Sequence, residues 1–331
     1  MMDAAQGRDG VQFLDAVAIR SRLSWPVVIA ALDEALRTEV HAPLRASHRI
    51  EVAGKPAATL LTMPAWRSGG SIGIKLVTVF PGNSDDGKRS VAAVYVLFDA
   101  NDGVPIALLD GDELTARRTA GASAYAATRL ARADARRLVV VGAGRVARAL
   151  IDVYCSTRPL TRVDIWSRTS SHAEATADAC TRAGIAAHSC LDLEAAVAAA
   201  DIVCCATLST TPLVLGGWLK PGVHLDLVGA FRKEMRETDD AVLRRADLIV
   251  VDDRAAALAE GGDVVQAIES GAIDERLIAA ELRDFAHGTH PGRTRADQIT
   301  VFKSVGFALE DLAAAEAAVR AGGPPRTGRG A

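Results

Sequence analysis

Apolar residues recur at helical spacing over residues 24–40. Val28, Leu32, Ala35 and Leu36 share one side, Ser24 is a candidate N-cap and Pro26 falls in the first turn. The pattern then shortens into strand-like runs. Ala57 to Met63 is one, and Gly73 to Phe80 alternates until Pro81-Gly82-Asn83 closes it. Val91 to Phe98 is another, turning through Asn101-Asp102-Gly103 into Pro105 to Leu109. These runs predict an antiparallel sheet. Asp112 to Ala131 reads as one helix, with Leu114, Ala122, Tyr125 and Leu130 on its apolar side. From Arg137 onward, strand and helix patterns alternate. Leu138 to Val141, Arg162 to Trp166, Asp201 to Ala206, Val223 to Val228 and Leu248 to Val251 read as strands of a mostly parallel, doubly wound sheet. Ile299 to Arg320 reads as a long Ala-rich helix packing back on the first domain.

The strand at 138–141 runs into Gly142-Ala143-Gly144-Arg145-Val146-Ala147, a Gly-x-Gly-x-x-Ala turn that opens a helix. In that context Gly142 permits the tight turn, Gly144 lets the backbone approach a pyrophosphate, and Ala147 allows close helix–strand packing. The amides at the helix start, including Arg145 and Val146, would hold the phosphates. The expected architecture is therefore α/β. Residues 132–299 form a Rossmann-type parallel sheet, and residues 1–131 with 300–320 form a discontinuous α+β domain. The Gly- and Pro-rich tail, 321–331, is expected to be disordered.

Composition narrows the partners. The 331 residues suit two domains and the 49% hydrophobic content fills both cores. A formal net charge of -3 gives no electrostatic case for nucleic acid or an anionic membrane. No apolar run approaches the ~20 residues of a membrane span. Met1 to Gly10 lacks the apolar stretch of a signal peptide, so a cytoplasmic location is expected. The five cysteines have no zinc spacing, no metal site is expected, and Cys204-Cys205 read as buried small hydrophobes.

The end of the second parallel strand selects among dinucleotides. A carboxylate there would bind the ribose diol of NAD, whereas Ser167, Arg168 and Thr169 offer two hydroxyls and a guanidinium suited to a 2′-phosphate. Asp164 lies two residues too early. NADPH is therefore expected in preference to NADH. Thr207, Val228, Gly229 and Ala230, at two later strand ends, are expected beside the nicotinamide half. The histidines, His172 among them, are scattered and read as surface or structural. Asp226 is a candidate to orient Lys75 or a water, and Glu237 a candidate cap for the helix after it.

Five ordered motifs span residues 20–318. They are Gly73-x-Lys75 with Pro81-x-Asn83; Leu114-Thr115-x-x-Arg118-Thr119-Ala120-x-x-Ser123; Gly142-x-Gly144; His224-x-Asp226-x-Val228-Gly229; and Val301-Phe302-Lys303-Ser304-Val305-Gly306 with Glu310-Asp311. Their order and spacing resemble the ornithine cyclodeaminase/mu-crystallin family. The resemblance implies a homodimer and a substrate site beside the dinucleotide. There Arg45, Lys75 and Arg118 would line the pocket, the two arginines holding a carboxylate, with Ser90 and Ser304 near cofactor or substrate. It also implies, for cyclodeaminase activity, an aspartate and a lysine after the Val-Gly stretch. This chain has Phe231 and Met235 there, and neither can move a proton. The run 224–238 resembles instead the family's bacterial 1-pyrroline-2-carboxylate reductases. The implied reaction is NAD(P)H-dependent reduction of a cyclic ketimine to L-proline, or to L-pipecolate from the six-membered ring, in trans-3-hydroxy-L-proline degradation. Lys75 would be the catalytic residue. An alanine dehydrogenase-like activity is the alternative, with ornithine cyclodeamination or ligand binding without catalysis behind it.

Overall fold

The computed structural model describes residues 10–322. In chain order its elements are β1 (Gln12–Leu14), α1 (Ala16–Arg22), α2 (Trp25–Leu36), β2 (Ala46–Ile50), β3 (Ala58–Trp66), β4 (Ser71–Val79), β5 (Val91–Asp99), β6 (Pro105–Asp110), α3 (Gly111–Leu130), β7 (Arg137–Val141), α4 (Arg145–Thr157), β8 (Arg162–Trp166), α5 (Ser170–Arg182) and β9 (Ala187–Ser189). They continue with α6 (Leu193–Ala199), β10 (Ile202–Cys205), β11 (His224–Leu227), α7 (Asp240–Arg245), β12 (Leu248–Val251), α8 (Arg254–Glu260), α9 (Gly262–Glu269), β13 (Ile278–Glu281), α10 (Leu282–His287), β14 (Thr300–Lys303) and α11 (Ala308–Arg320). The chain divides into two compact units, one of residues up to 31, 38–118 and from 308 on, the other of 32–37 and 119–307.

The first unit is built on a six-stranded sheet in the order β1-β6-β5-β4-β3-β2, antiparallel except for β1 against β6. Alternation along β4 turns Gly73 and Lys75 to the buried face. That face also carries Met63 and Ala65 of β3 and Tyr95 and Leu97 of β5, and α11 packs on these three strands. Gly73 is glycine because the Tyr95 ring lies over it, and a Cβ there would overlap the phenol. The edge strand β2, Ala46-Ser47-His48-Arg49-Ile50, is almost wholly exposed and carries no hydrophobic alternation, so the sequence pattern does not reveal it.

The second unit holds an eight-stranded, all-parallel sheet in the order β13-β12-β14-β11-β10-β7-β8-β9. Its central strands are buried along their whole length, as a sheet covered on both faces requires. Val139, Val141, Val203, Leu225, Leu227 and Val301 lie in its core.

One expectation is corrected here. Ile299 to Arg320 is not a single helix. Residues 300–303 form β14, paired on both sides by β11 and β12, and α11 starts at Ala308 after a turn in which Gly306 has φ 75°. A short apolar run fits a buried strand or a buried helix turn equally, and periodicity cannot separate them. Residues 300–307 therefore belong with the parallel sheet, and the unit boundaries fall at 118/119 and 307/308 rather than 131/132 and 299/300. Of the expected disordered tail, residues 323–331 lie outside the described residues, as do residues 1–9. No helix among the described residues is long and apolar enough to cross a membrane.

Candidate active site

The first unit buries a charge cluster on the α11 side of its sheet. Lys75, only 2% exposed, donates from Nζ to Asp311 Oδ2 at 2.7 Å. Arg118, on α3, donates from Nε to Asp311 Oδ1 at 3.0 Å and from Nη1 to Glu310 Oε2 at 2.6 Å. Arg45, half-buried just before β2, lies close enough for its charge to act on Lys75. The structure brings Arg45, Lys75 and Arg118 near one another, with Asp311 between Lys75 and Arg118. Burial, with the Arg118 charge acting the same way and Asp311 opposing both, lowers the Lys75 ammonium from 10.5 to about 8. Asp311 stays below the usual carboxylate range despite its burial, because Arg118 and Lys75 stabilise its charge. Asp311 thus joins Lys75 to Arg118, and Glu310 holds the other side of the Arg118 guanidinium.

The second unit carries an open pocket of about 320 Å³ beyond the carboxyl ends of its strands. Gly142 and Gly144 form one wall. Gly142 adopts φ 127° and a Cβ there would sit 2.5 Å from the Ala206 carbonyl, so glycine is required. At Gly144, the N-cap of α4, a Cβ would enter open space, leaving the backbone accessible. Those are the features a pyrophosphate cradle needs, and the first-turn amides of α4 that follow, at Arg145 and Val146, stand at the positive end of the helix. The chain fits a dinucleotide. Ser167 and Arg168 line the far end, and Thr169 is the N-cap of α5. Asp164 points elsewhere and pairs with Arg162 at 2.8 Å. His172, read from sequence as a bystander, lines the same end. Its place in the first turn of α5, one turn after Arg168, was the available signal.

Thr207 lines the other end of the pocket, at the end of β10. Val228, Gly229 and Ala230 continue β11 beside it. A Cβ on Gly229 would overlap the Thr207 carbonyl and Glu237. Ala230 has φ 48°, an uncommon left-handed conformation for a residue with a side chain, and its carbonyl accepts from Gly262 N–H at 2.8 Å. Glu237 does not cap α7; Asp239 does, accepting from Val242 N–H. Glu237 is instead fully buried and accepts from the Thr207 amide at 2.6 Å and the Thr207 hydroxyl at 2.7 Å.

Three further residues named from the sequence have partners within the fold. Asp226 hydrogen-bonds Ser123 at 3.0 Å, Tyr154 at 3.1 Å and Cys204 at 3.4 Å. These donors occupy it inside the second unit, and burial raises it to about 6. The Ser304 hydroxyl is engaged by Asp252 at 3.0 Å, which also accepts from the Val305 and Gly306 amides. Its observed part is to hold that turn. Ser90 lies in the first unit, on the bend before β5, where its carbonyl accepts from Phe80 N–H.

Comparison with known proteins agrees with this arrangement. The profile of the ornithine cyclodeaminase/mu-crystallin family matches residues 11–320. The chain is 39% identical over 304 residues to the Delta(1)-pyrroline-2-carboxylate reductase of Paracoccus denitrificans, covering 91% of this chain and 94% of that one. A Thermococcus litoralis Delta(1)-pyrroline-2-carboxylate reductase solved with NADH and L-proline superposes with a TM-score of 0.87 at 31% identity, over 94% of this chain and 97% of that one. An archaeal alanine dehydrogenase dimer with bound NAD gives 0.85 at 27% identity, over 94% and 95%. With five motifs in order, a parallel sheet ending in a glycine cradle and a buried Lys75–Asp311–Arg118 cluster, the chain belongs to the ornithine cyclodeaminase/mu-crystallin family.

Proposed function

We propose that the protein is an NAD(P)H-dependent reductase of cyclic ketimines, converting 1-pyrroline-2-carboxylate to L-proline and 1-piperideine-2-carboxylate to L-pipecolate. The observation that carries this reading is the buried cluster in which Asp311 joins Lys75 to Arg118, with Arg45 near enough to act on a lysine lowered to about 8. Arg118 and Arg45 bind the substrate carboxylate, the guanidinium fork fixing its plane. Lys75, held by Asp311, keeps a proton beside the ring nitrogen and favours the iminium form. The nicotinamide supplies hydride to the imine carbon. Gly142 and Gly144 with the α4 amides, Arg145 and Val146 among them, hold the pyrophosphate. Thr207, Val228, Gly229 and Ala230 border the nicotinamide half, with Ser90 near it, and Ser304 lies near the substrate. Ser167, Arg168 and Thr169, joined by His172, receive a 2′-phosphate, so NADPH is preferred over NADH.

The relatives support the substrate class. The Paracoccus and Thermococcus proteins are named for 1-pyrroline-2-carboxylate reduction, and the latter binds L-proline. A dimer follows the archaeal alanine dehydrogenase. A place in trans-3-hydroxy-L-proline breakdown, in the cytoplasm, is consistent with these assignments. Cyclodeamination is disfavoured by Phe231 and Met235, which offer no acid or base.

Oxidation of NADPH and of NADH is followed with 1-pyrroline-2-carboxylate alone, and separately with pyruvate plus ammonia. Turnover of the cyclic imine supports the proposal. Turnover in the second mixture alone overturns it in favour of an open-chain amino-acid dehydrogenase.

A further inference from the structure

Behind the Thr207 end of the pocket lies a charge cluster for which the reaction as described has no use. Glu237 is fully buried. One carboxyl oxygen accepts from the Thr207 amide and hydroxyl, and a Cβ on Gly229 would overlap that same oxygen. The other, Oε2, has no hydrogen-bond partner among the described residues. The Glu237 carbonyl accepts from Leu213 N–H at 2.8 Å and Val214 N–H at 3.0 Å, so the residue binds the pocket wall from both ends.

Charged and titratable groups face Glu237 from three elements. Lys303 of β14, also fully buried, donates to the Gly229 carbonyl and to Asp263 Oδ2 at 3.2 Å. Asp263 of α9 accepts from the Glu237 amide at 2.9 Å. Cys205 of β10 is the third, its thiol pushed well above its ordinary range by burial. With Lys303 and Asp263 paired, the cluster is neutral when Glu237 is protonated and carries one negative charge when it is ionised. Burial pushes Glu237 up to about 7; Lys303 and the Thr207 donors oppose that and Asp263 adds to it.

We propose that Glu237 is a positioning residue that places a proton-switched charge behind the nicotinamide end of the pocket, neutral toward the reduced cofactor and ionised toward the oxidised one. The inference rests on the cofactor assignment above. The oxidised cofactor carries one more positive charge on its ring than the reduced form. An ionised Glu237, one residue away through Thr207 and Gly229, is favoured by that charge, and by linkage favours it in return. The unpartnered Oε2 fits this role, because a buried carboxylate oxygen without donors is costly when charged and far less so when protonated.

The test measures dissociation constants of NADPH and NADP+, with NADH and NAD+ in parallel, from roughly pH 5.5 to roughly pH 8.5 for the wild type and E237Q. Glutamine keeps the acceptor oxygen for Thr207 and cannot ionise. The oxidised-to-reduced ratio cancels titration of the 2′-phosphate, since both forms share the adenosine half. In the wild type, NADP+ should gain on NADPH as pH rises, by on the order of tenfold, corresponding to one unit of pKa difference between the complexes. In E237Q the ratio should be flat. Infrared difference spectra of the wild type supply a second readout that needs no variant. The carbonyl stretch of a protonated carboxylic acid should be present in the NADPH complex at neutral pH and weaken in the NADP+ complex. A flat wild-type ratio, an equal slope in E237Q or an unchanged carboxylic band overturns the inference and leaves the cofactor assignment standing. Failure of either nucleotide to bind at any pH overturns both.

Discussion

Lys75 is held in the fold at a cost, and replacing it should show this. Its ammonium falls from 10.5 to about 8 with the favourable pairing to Asp311 already included. At neutral pH the folded state therefore opposes the Lys75 charge by about 3 kcal/mol, at 1.36 kcal/mol per unit. Lys75→Met removes the charge and fills nearly the same volume. Arg118 still holds Asp311 at 3.0 Å. The variant should be more stable than the wild type by about 1–3 kcal/mol at pH 7, the lower figure allowing for cavity and packing losses. The sign with pH is fixed. The lysine is protonated in the unfolded chain up to 10.5 and in the folded chain up to about 8, so the penalty is full below pH 8 and disappears as pH rises to 10.5. The advantage of Lys75→Met should shrink over that window. Turnover of 1-pyrroline-2-carboxylate should nonetheless fall by on the order of a hundredfold, since the positioned proton is lost. Urea unfolding at pH 7 and pH 10, with kcat from NADPH oxidation, checks both halves. A variant less stable than the wild type by more than about 1 kcal/mol, or one with undiminished kcat, would refute the reasoning.

Other outcomes follow from the same geometry. For the wild type, kcat/KM should decline on the alkaline side with an apparent pKa near 8, as Lys75 loses its proton. In Lys75→Arg that limb should move to higher pH, and a limb unmoved by the substitution would assign it to another group. Arg168→Ala should lower kcat/KM for NADPH roughly tenfold, a charge-assisted contact at an exposed position, while leaving NADH within about threefold. Equal losses for both cofactors would remove the 2′-phosphate role. Gly229→Ala should lower stability by about 1–3 kcal/mol in thermal unfolding, because its Cβ would overlap Glu237 and the Thr207 carbonyl.

Local chemistry made much of this protein legible from sequence. Gly142 and Gly144 declared the cradle, because a left-handed turn and close backbone approach leave few residue types possible. The parallel strands from Leu138 to Val251 were legible because their continuous apolar runs fit a sheet buried on both faces. Arg45, Lys75 and Arg118 were found through motif order, not through periodicity; a lysine in an alternating strand reads equally well as exposed. Whether Lys75 turns inward depends on what covers β4, and that cover is α11, more than 230 residues away in sequence. The same distance hid that Glu310 and Asp311, though part of the fifth motif, pair with Arg118 and Lys75. Glu237 was misread as a cap because an acidic residue before a helix has a ready local explanation. Its burial under Gly229, against Thr207 and beside Lys303, exists only once β10, β11 and β14 are adjacent. Sequence by itself determined backbone requirements and the inventory of charges, which are properties of single residues and short windows. Tertiary structure decided which charges meet, which are desolvated and which way they titrate, because burial and pairing depend on neighbours that only the folded sheet brings together.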